Sequence, residues 1–209
     1  RLGTVAMEEA ERSGQASLKS KVYAMFHCVI SPWMGYAPED ERKLGDGILH
    51  GLQSGDYVFA SYCTGGLINL SYGVHPTAKM QQVMSQCLQY VEVTKDELIY
   101  KNIMIYMDIA GILRNPRQTD FSLKVGRGSE EEFLADVMKD ESRAVTLYQI
   151  YTYKTQIAYL FGRPEEAIRC AELGKAYEGF AVQSPHLPVQ YFYEALALAE
   201  SLRGMPKDG

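Results

Sequence analysis

Apolar residues recur at helical spacing along almost the whole chain. The clearest run is Met80, Val83, Met84, Cys87, Leu88 and Val91, with Lys79, Gln81, Gln82, Gln86 and Gln89 on the opposite side. Thr4–Arg12 reads as a helix closed by Ser13-Gly14. A second helix runs from about Ser17 to Ile30 on the stripe Leu18, Val22, Met25, Phe26 and Val29. Pro38-Glu39-Asp40-Glu41 starts a third, continued by Leu44, Ile48, Leu49 and Leu52. Asp96 caps a helix through Ile99, Ile103, Tyr106 and Ala110, which Asn115-Pro116 ends. Ser129 and Glu132 form a capping box ahead of Phe133, Leu134, Val137 and Met138. Pro188 starts a last helix, Val189–Leu202, with Gln183-Ser184-Pro185 as the break before it and a frayed tail from Gly204. No segment alternates with period two, and no Asn-Gly or Asp-Gly turn joins β-branched runs. The pattern predicts an all-α chain of antiparallel helix pairs, with residues 1–209 as one domain and 117–128 as an irregular loop.

The most apolar stretch is Glu141–Tyr177. Between Arg143 and Arg163 its only charge is Lys154, and its apolar residues cover every face of a helix, so burial on most sides is expected. Gly162 ends that helix, and Pro164 starts the next at a position where a missing N–H costs nothing. The second helix has a small face, Ala167, Cys170, Ala171 and Gly174, which lets a neighbour approach closely. Gly55, Asp56 and Ala60 repeat the arrangement: both turns read Gly-x-x-x-x-Ala. Glycine tolerates the left-handed turn after a helix, and alanine one turn into the next helix lets the hairpin close. This resembles the middle of a tetratricopeptide repeat, whose period is about 34 residues. The Trp, Leu-Gly and Tyr of that consensus are poorly kept here. The expected architecture is a degenerate tetratricopeptide-like superhelix.

Composition narrows the function classes. The chain has 209 residues, 46% hydrophobic and 22% charged, an ordinary globular mixture. A net charge of −5 argues against nucleic-acid binding through phosphate contacts. Cys28, Cys63, Cys87 and Cys170 form no CxxC pair and fall in helical patterns, which points to reduced thiols and a cytoplasmic location. Tyr57–Val74 carries no charge, but Ser61, Thr64, Asn69, Ser71 and three glycines make it a buried helix of an array and not a membrane span. The chain opens inside a helical pattern without an initiator Met, and is expected to be a segment of a longer protein.

Candidate chemistry is sparse. No Gly-x-x-x-x-Gly-Lys-Ser/Thr run is present, and Gly126-Arg127-Gly128 lacks both a preceding strand and a third glycine. His-Arg-Asp and Asp-Phe-Gly are absent. His27 and Cys28 are adjacent and point about 100° apart on a helix, so they cannot share a metal face. His50, His75 and His186 are isolated in sequence. Glu130-Glu131-Glu132 is explained by a helix N-terminus, which favours acids. No catalytic residue, cofactor or metal site is expected.

The string LQSGDYVFASYCTGGLINLSYGVHPTAKMQQVMSQCLQYVEVTK, followed by TLYQIYTYKTQIAYLFGRPEEAIRCAELGKAYEGF and LPVQYFYEALALAESL, resembles one family over about Met7–Leu202. It is similar to the helical region that follows the ATPase module in large bacterial signalling proteins. Those chains combine a serine/threonine kinase domain, an AAA- or STAND-type ATPase, this region, a GAF domain and a histidine kinase or other output domain. The resemblance implies a non-enzymatic scaffold for protein, peptide or interdomain contacts. An inducer-sensing domain of a STAND-type regulator and a structural spacer are the alternatives. Of the 15 tyrosines, Tyr148, Tyr151, Tyr159, Tyr191 and Tyr193 are candidate groove aromatics, because phenol rings suit peptide contact on the concave face of an array. The competing reading places them in wide helix interfaces.

Overall fold

In the computed structural model, residues 2–35, 37–115, 117, 119–123, 128–140, 143–182 and 184–203 are described. Tyr36, Pro116, Gly126, Arg127, Glu141, Gln183, the tail from Gly204 and part of the 117–128 loop lie outside them. The chain is all-helical, with no strand among the described residues. Its helices are α1 (Leu2–Ser13), α2 (Ala16–Met25), α3 (Pro38–Ser54), α4 (Tyr57–Val74), α5 (Thr77–Thr94), α6 (Glu97–Arg114), α7 (Glu130–Val137), α8 (Ala144–Leu160), α9 (Pro164–Lys175) and α10 (His186–Arg203). A π-helical turn, Phe26–Ile30, extends α2, and a short 3-10 turn at Ser31–Trp33 follows it. The chain divides into two compact units, Arg1–Gly111 and Ile112–Gly209.

In the first unit, α2 lies against both α3 and α4, and α4 also packs on α5. Glycines set the closeness. A Cβ on Gly51 would stand 2.8 Å from Ala60 Cβ, 2.9 Å from the Ala60 backbone nitrogen and 2.9 Å from Ser20 Oγ. One on Gly47 would meet Cys63 Sγ at 2.6 Å. Ala24, Leu44, Ile48 and Cys63 form the core at this junction. In the second unit α8 is the central rod, with α9 and α10 packed on it and on each other. Ala158, Ala167 and Ala197, one from each helix, meet there without solvent exposure of consequence. Among the described residues no helix, the uncharged α4 included, is long and apolar enough to cross a membrane.

The α2 stripe differs from expectation. Leu18 and Met25 face solvent, whereas Ser20, Tyr23, Ala24, His27 and Ser31 form the buried face. The pattern weighed hydrophobicity only, but Tyr23, His27 and Ser31 on this face have hydrogen-bond partners, and the π-helical turn rotates the register after Met25. Leu49 is likewise exposed, its place against the neighbouring helices taken by Gly47 and Gly51. The last helix begins two residues before Pro188, which still sits in the first turn, where no N–H is required.

Both predicted turns have left-handed glycines, Gly55 at φ 73° and Gly162 at φ 72°. A Cβ on Gly162 would meet nothing within 4 Å, so only backbone strain opposes substitution there. Gly162→Val should therefore cost roughly 1–2 kcal/mol and Gly162→Asn much less. Ala167→Leu, at a fully buried position, should cost about 1–3 kcal/mol by overpacking. Thermal unfolding compares the three with the parent; equal melting temperatures for Gly162→Val and the parent would contradict the left-handed turn.

Candidate functional site

The two hairpin turns match bond for bond. Gly55 N donates to Leu52 O at 3.3 Å and Asp56 N to Gly51 O at 2.9 Å; Gly162 N donates to Tyr159 O at 2.9 Å and Arg163 N to Ala158 O at 2.9 Å. This paired pattern is the Schellman motif, which satisfies carbonyls left open at a helix end. One turn further on, Ala60 N and Ala167 N donate to Asp56 O and Arg163 O. Gly51 and Ala158, whose carbonyls accept these bonds at each turn, are also the small residues facing Ala60 and Ala167. The connection between α5 and α6 has a left-handed residue as well, Lys95 at φ 54°, with its N–H bonded to Val91 O at 2.8 Å. Gly14 is left-handed too, at φ 68°, and Gly35, ahead of α3, has φ 104°. Left-handed residues at 14, 55 and 95 thus recur at intervals of about 40 residues, longer than the 34 of a tetratricopeptide repeat. Lysine carries no left-handed signature, so that third turn was missed.

Asp56 does more than turn the chain. Its carboxylate accepts from Ser17 Oγ at 3.0 Å and pairs with Lys21 at 3.3 Å, tying α2 to the α3–α4 hairpin. Nearby, Glu11 accepts from Tyr23 Oη and pairs with Lys43 and Lys19. Those donors, Lys43 first, hold the Glu11 carboxyl down at about 2. The Lys43 ammonium lies 4.7 Å from the Tyr23 ring centroid, so the aromatic face adds to its surroundings.

The groove tyrosines do not form one surface. Tyr148 and Tyr151 are core residues, 1% and 6% exposed, and Tyr151 stacks on Tyr177. Burial and the nearby charges of Glu178 and Glu194 push the Tyr148 phenol upward, and its hydroxyl has no partner among the described residues. Tyr159 and Tyr193 are half-buried with ring centroids 5.9 Å apart, and Gln156 donates to Tyr193 Oη at 3.2 Å. Tyr191 is exposed and donates to Glu178 at 2.5 Å. A shallow groove beside Tyr159 is lined by Leu160, Gly162, Pro164, Glu200 and Arg203. Its floor contains the hairpin turn itself, so the turn residues also shape a surface.

Two buried polar clusters escaped the sequence reading. In the first, Asp40 Oδ1 accepts from His27 Nδ1 at 2.5 Å and from Ser31 Oγ at 2.8 Å, while Asp40 Oδ2 accepts from the Ala37 N–H at 3.2 Å. All three side chains are buried, and His27 Nε2 has no partner among the described residues. Serine and histidine both bind the carboxylate and not each other, so this is not a nucleophile–base relay, which requires the serine on the far imidazole nitrogen. It anchors the start of α3 to the end of the π-helical turn. In the second, Tyr153 Oη is hydrogen-bonded to His186 Nε2, and Ser184 Oγ lies 2.8 Å from His186 Nδ1.

Burial pushes His186 down to about 4 from an ordinary 6.5. The unfolded chain therefore takes up a proton below about pH 6.5 that the folded chain refuses until about pH 4. Its contribution is complete above pH 6.5 and is lost as pH falls towards 4. At 1.36 kcal/mol per unit the loss reaches up to about 3 kcal/mol. Urea unfolding at pH 7 and pH 4.5 should show that fall, and His186→Gln should flatten it; an unchanged slope in the variant would assign the effect elsewhere.

All four cysteines are free thiols. Burial pushes Cys28, Cys63 and Cys87 up to about 12 and raises Cys170, so none is poised as a thiolate nucleophile. Among the described residues no group of three His, Cys, Asp or Glu side chains is placed to hold a metal ion. No protein-family model, curated protein or solved structure matches the chain.

Proposed function

We propose that this chain is a non-enzymatic helical-repeat scaffold that mediates protein or interdomain contacts within a bacterial signal-transduction protein. The observation that carries the reading is the pair of matching helix hairpins, α3–α4 and α8–α9, closed by left-handed glycines at 55 and 162. Repeated hairpins make elongated stacks whose surfaces suit extended contacts. The signalling context rests on the resemblance of the sequence to the region between ATPase and output modules. On this reading the tetratricopeptide-like stacking is degenerate, with a longer interval between turns. The groove beside Tyr159 and the exposed Tyr191 are among the aromatic surfaces available to a partner.

The test is replacement of this region, in the intact signalling protein, by an unrelated helical spacer of similar length. The scaffold reading expects the isolated activities of the flanking domains to survive while control of the output domain by the ATPase module is lost. Control that persists with the unrelated spacer would make the region a spacer and overturn the proposal.

A further inference from the structure

Residues 119–123 belong to the connection between α6 and α7, and two of them are core residues. Phe121 is 7% exposed and Leu123 1%, while Thr119, Asp120 and Ser122 face solvent. Burial at alternate positions is the habit of an extended segment laid on a surface. Among the described residues, 119–123 make no backbone–backbone hydrogen bond. Side chains of the second unit hold the segment instead.

The holding groups come from α7, α8 and the turn into α9. The Arg163 guanidinium donates to Thr119 O at 2.8 Å and lies 4.3 Å from the Phe121 ring centroid. The Phe121 ring packs on Phe161 with centroids 4.9 Å apart. Leu123 N donates to Glu130 Oε2 at 2.7 Å, and the other oxygen of that carboxylate pairs with Lys154. Lys154 on α8 and Phe161 at its end are two turns apart, about 10 Å. The steps from Thr119 to Leu123 cover about 13 Å when extended. The segment therefore runs beside α8 in the opposite direction, with Thr119 at the C-terminal end of the helix. Three of the holding side chains also have partners of their own: Glu130 and Lys154 pair with each other, and Arg163 pairs with Glu166 at 3.2 Å. A guanidinium on an aromatic face, apolar anchors at alternate positions and main-chain groups met by side chains are the means by which extended peptides are recognised.

We propose that this flank of α8 is a seat for an extended peptide carrying a Phe-x-Leu pattern, and that residues 119–123 fill it as a built-in competitor, which a partner's segment of the same pattern displaces. The inference rests on the scaffold reading and names the chemistry of the partner. The seat is tested in the 209-residue chain, whereas control of the output domain is tested in the intact protein, so either can fail without the other. A tethered competitor acts at high effective concentration. A free peptide is therefore expected to bind only when the chain's own segment is weakened.

The experiment titrates a fluorescent, amidated peptide with the sequence of residues 119–123 into the 209-residue chain and into its Phe121→Ser, Leu123→Ser double variant, followed by anisotropy. The expected result is a tenfold or greater gain in affinity for the double variant, reversed when Arg163→Ala is added. A peptide with serine at both anchor positions should bind neither protein. Equal affinity for parent and double variant, no saturation of a double variant that keeps the parent's helical circular dichroism, or indifference to Arg163→Ala or to the serine peptide would overturn the proposal. Amide exchange in the parent is a second measurement, decisive even where the double variant loses its fold. Release of residues 119–123 without unfolding predicts that the Leu123 N–H is at least tenfold less protected than Ile157 inside α8. Equal protection at the two would make the segment a fixed part of the core and overturn the proposal.

Discussion

Replacing Asp40 with alanine is expected to lower the unfolding free energy by about 3–5 kcal/mol, the cost of removing one partner from a buried polar pair. Asp40 is 3% exposed and holds His27, Ser31 and the Ala37 N–H at once. Its loss leaves two buried donors and the part-buried Ala37 N–H without an acceptor, and each unmet buried donor costs about 1–3 kcal/mol. Asp40→Asn keeps an acceptor oxygen at nearly the same volume and should cost distinctly less. Urea unfolding of both variants decides the matter. A loss below 1 kcal/mol for Asp40→Ala would mean that this junction is not held by the carboxylate.

The second large effect is steric. Gly51→Leu should cost about 3 kcal/mol or more, at the upper end of overpacking losses, because even a Cβ would stand 2.9 Å from the backbone nitrogen of Ala60. Two terms compete in the smaller change Gly51→Ala. Helix propensity favours alanine by up to about 1 kcal/mol, whereas the clash involves backbone of α4, which cannot rotate away. The clash should win, so Gly51→Ala destabilises. Gly45, in the same helix, has nothing within 4 Å of its Cβ position. There only propensity acts, and Gly45→Ala should stabilise by up to about 1 kcal/mol. Thermal melts of the pair with opposite signs support the close α3–α4 approach; the same sign for both would contradict it.

The features legible in the sequence were those with a single physical cause. A glycine after an apolar helix, followed by alanine one turn into the next, predicts Gly55 and Gly162 because few other residues accept the left-handed conformation. The capping box was legible for the same reason: Glu132 N donates to Ser129 Oγ at 3.2 Å and Ser129 N to Glu132 Oε2 at 3.1 Å. The stripe from Met80 to Val91 was legible because one face of α5 is buried and the other is solvated. Where two causes compete, pattern fails. Asp40 looks like an ordinary acid in a helix first turn, yet it turns inward to a histidine distant in sequence. Lys95 adopts a glycine-like turn without a glycine-like side chain. Tyr148 and Tyr151 read equally as groove or core residues, and only the packing around α8 places them inside.

The measurement that reaches the central claim most directly is amide hydrogen exchange at Asp56 and Arg163, followed by NMR. Both residues lie just outside helices, where loop amides exchange freely, yet their N–H groups bond to Gly51 O and Ala158 O. Two hairpins closed by the same turn predict protection at both amides approaching that of the helix interiors, and its joint loss in Gly55→Val and Gly162→Val at the respective site. Loop-like exchange at either amide in the parent protein would contradict the account.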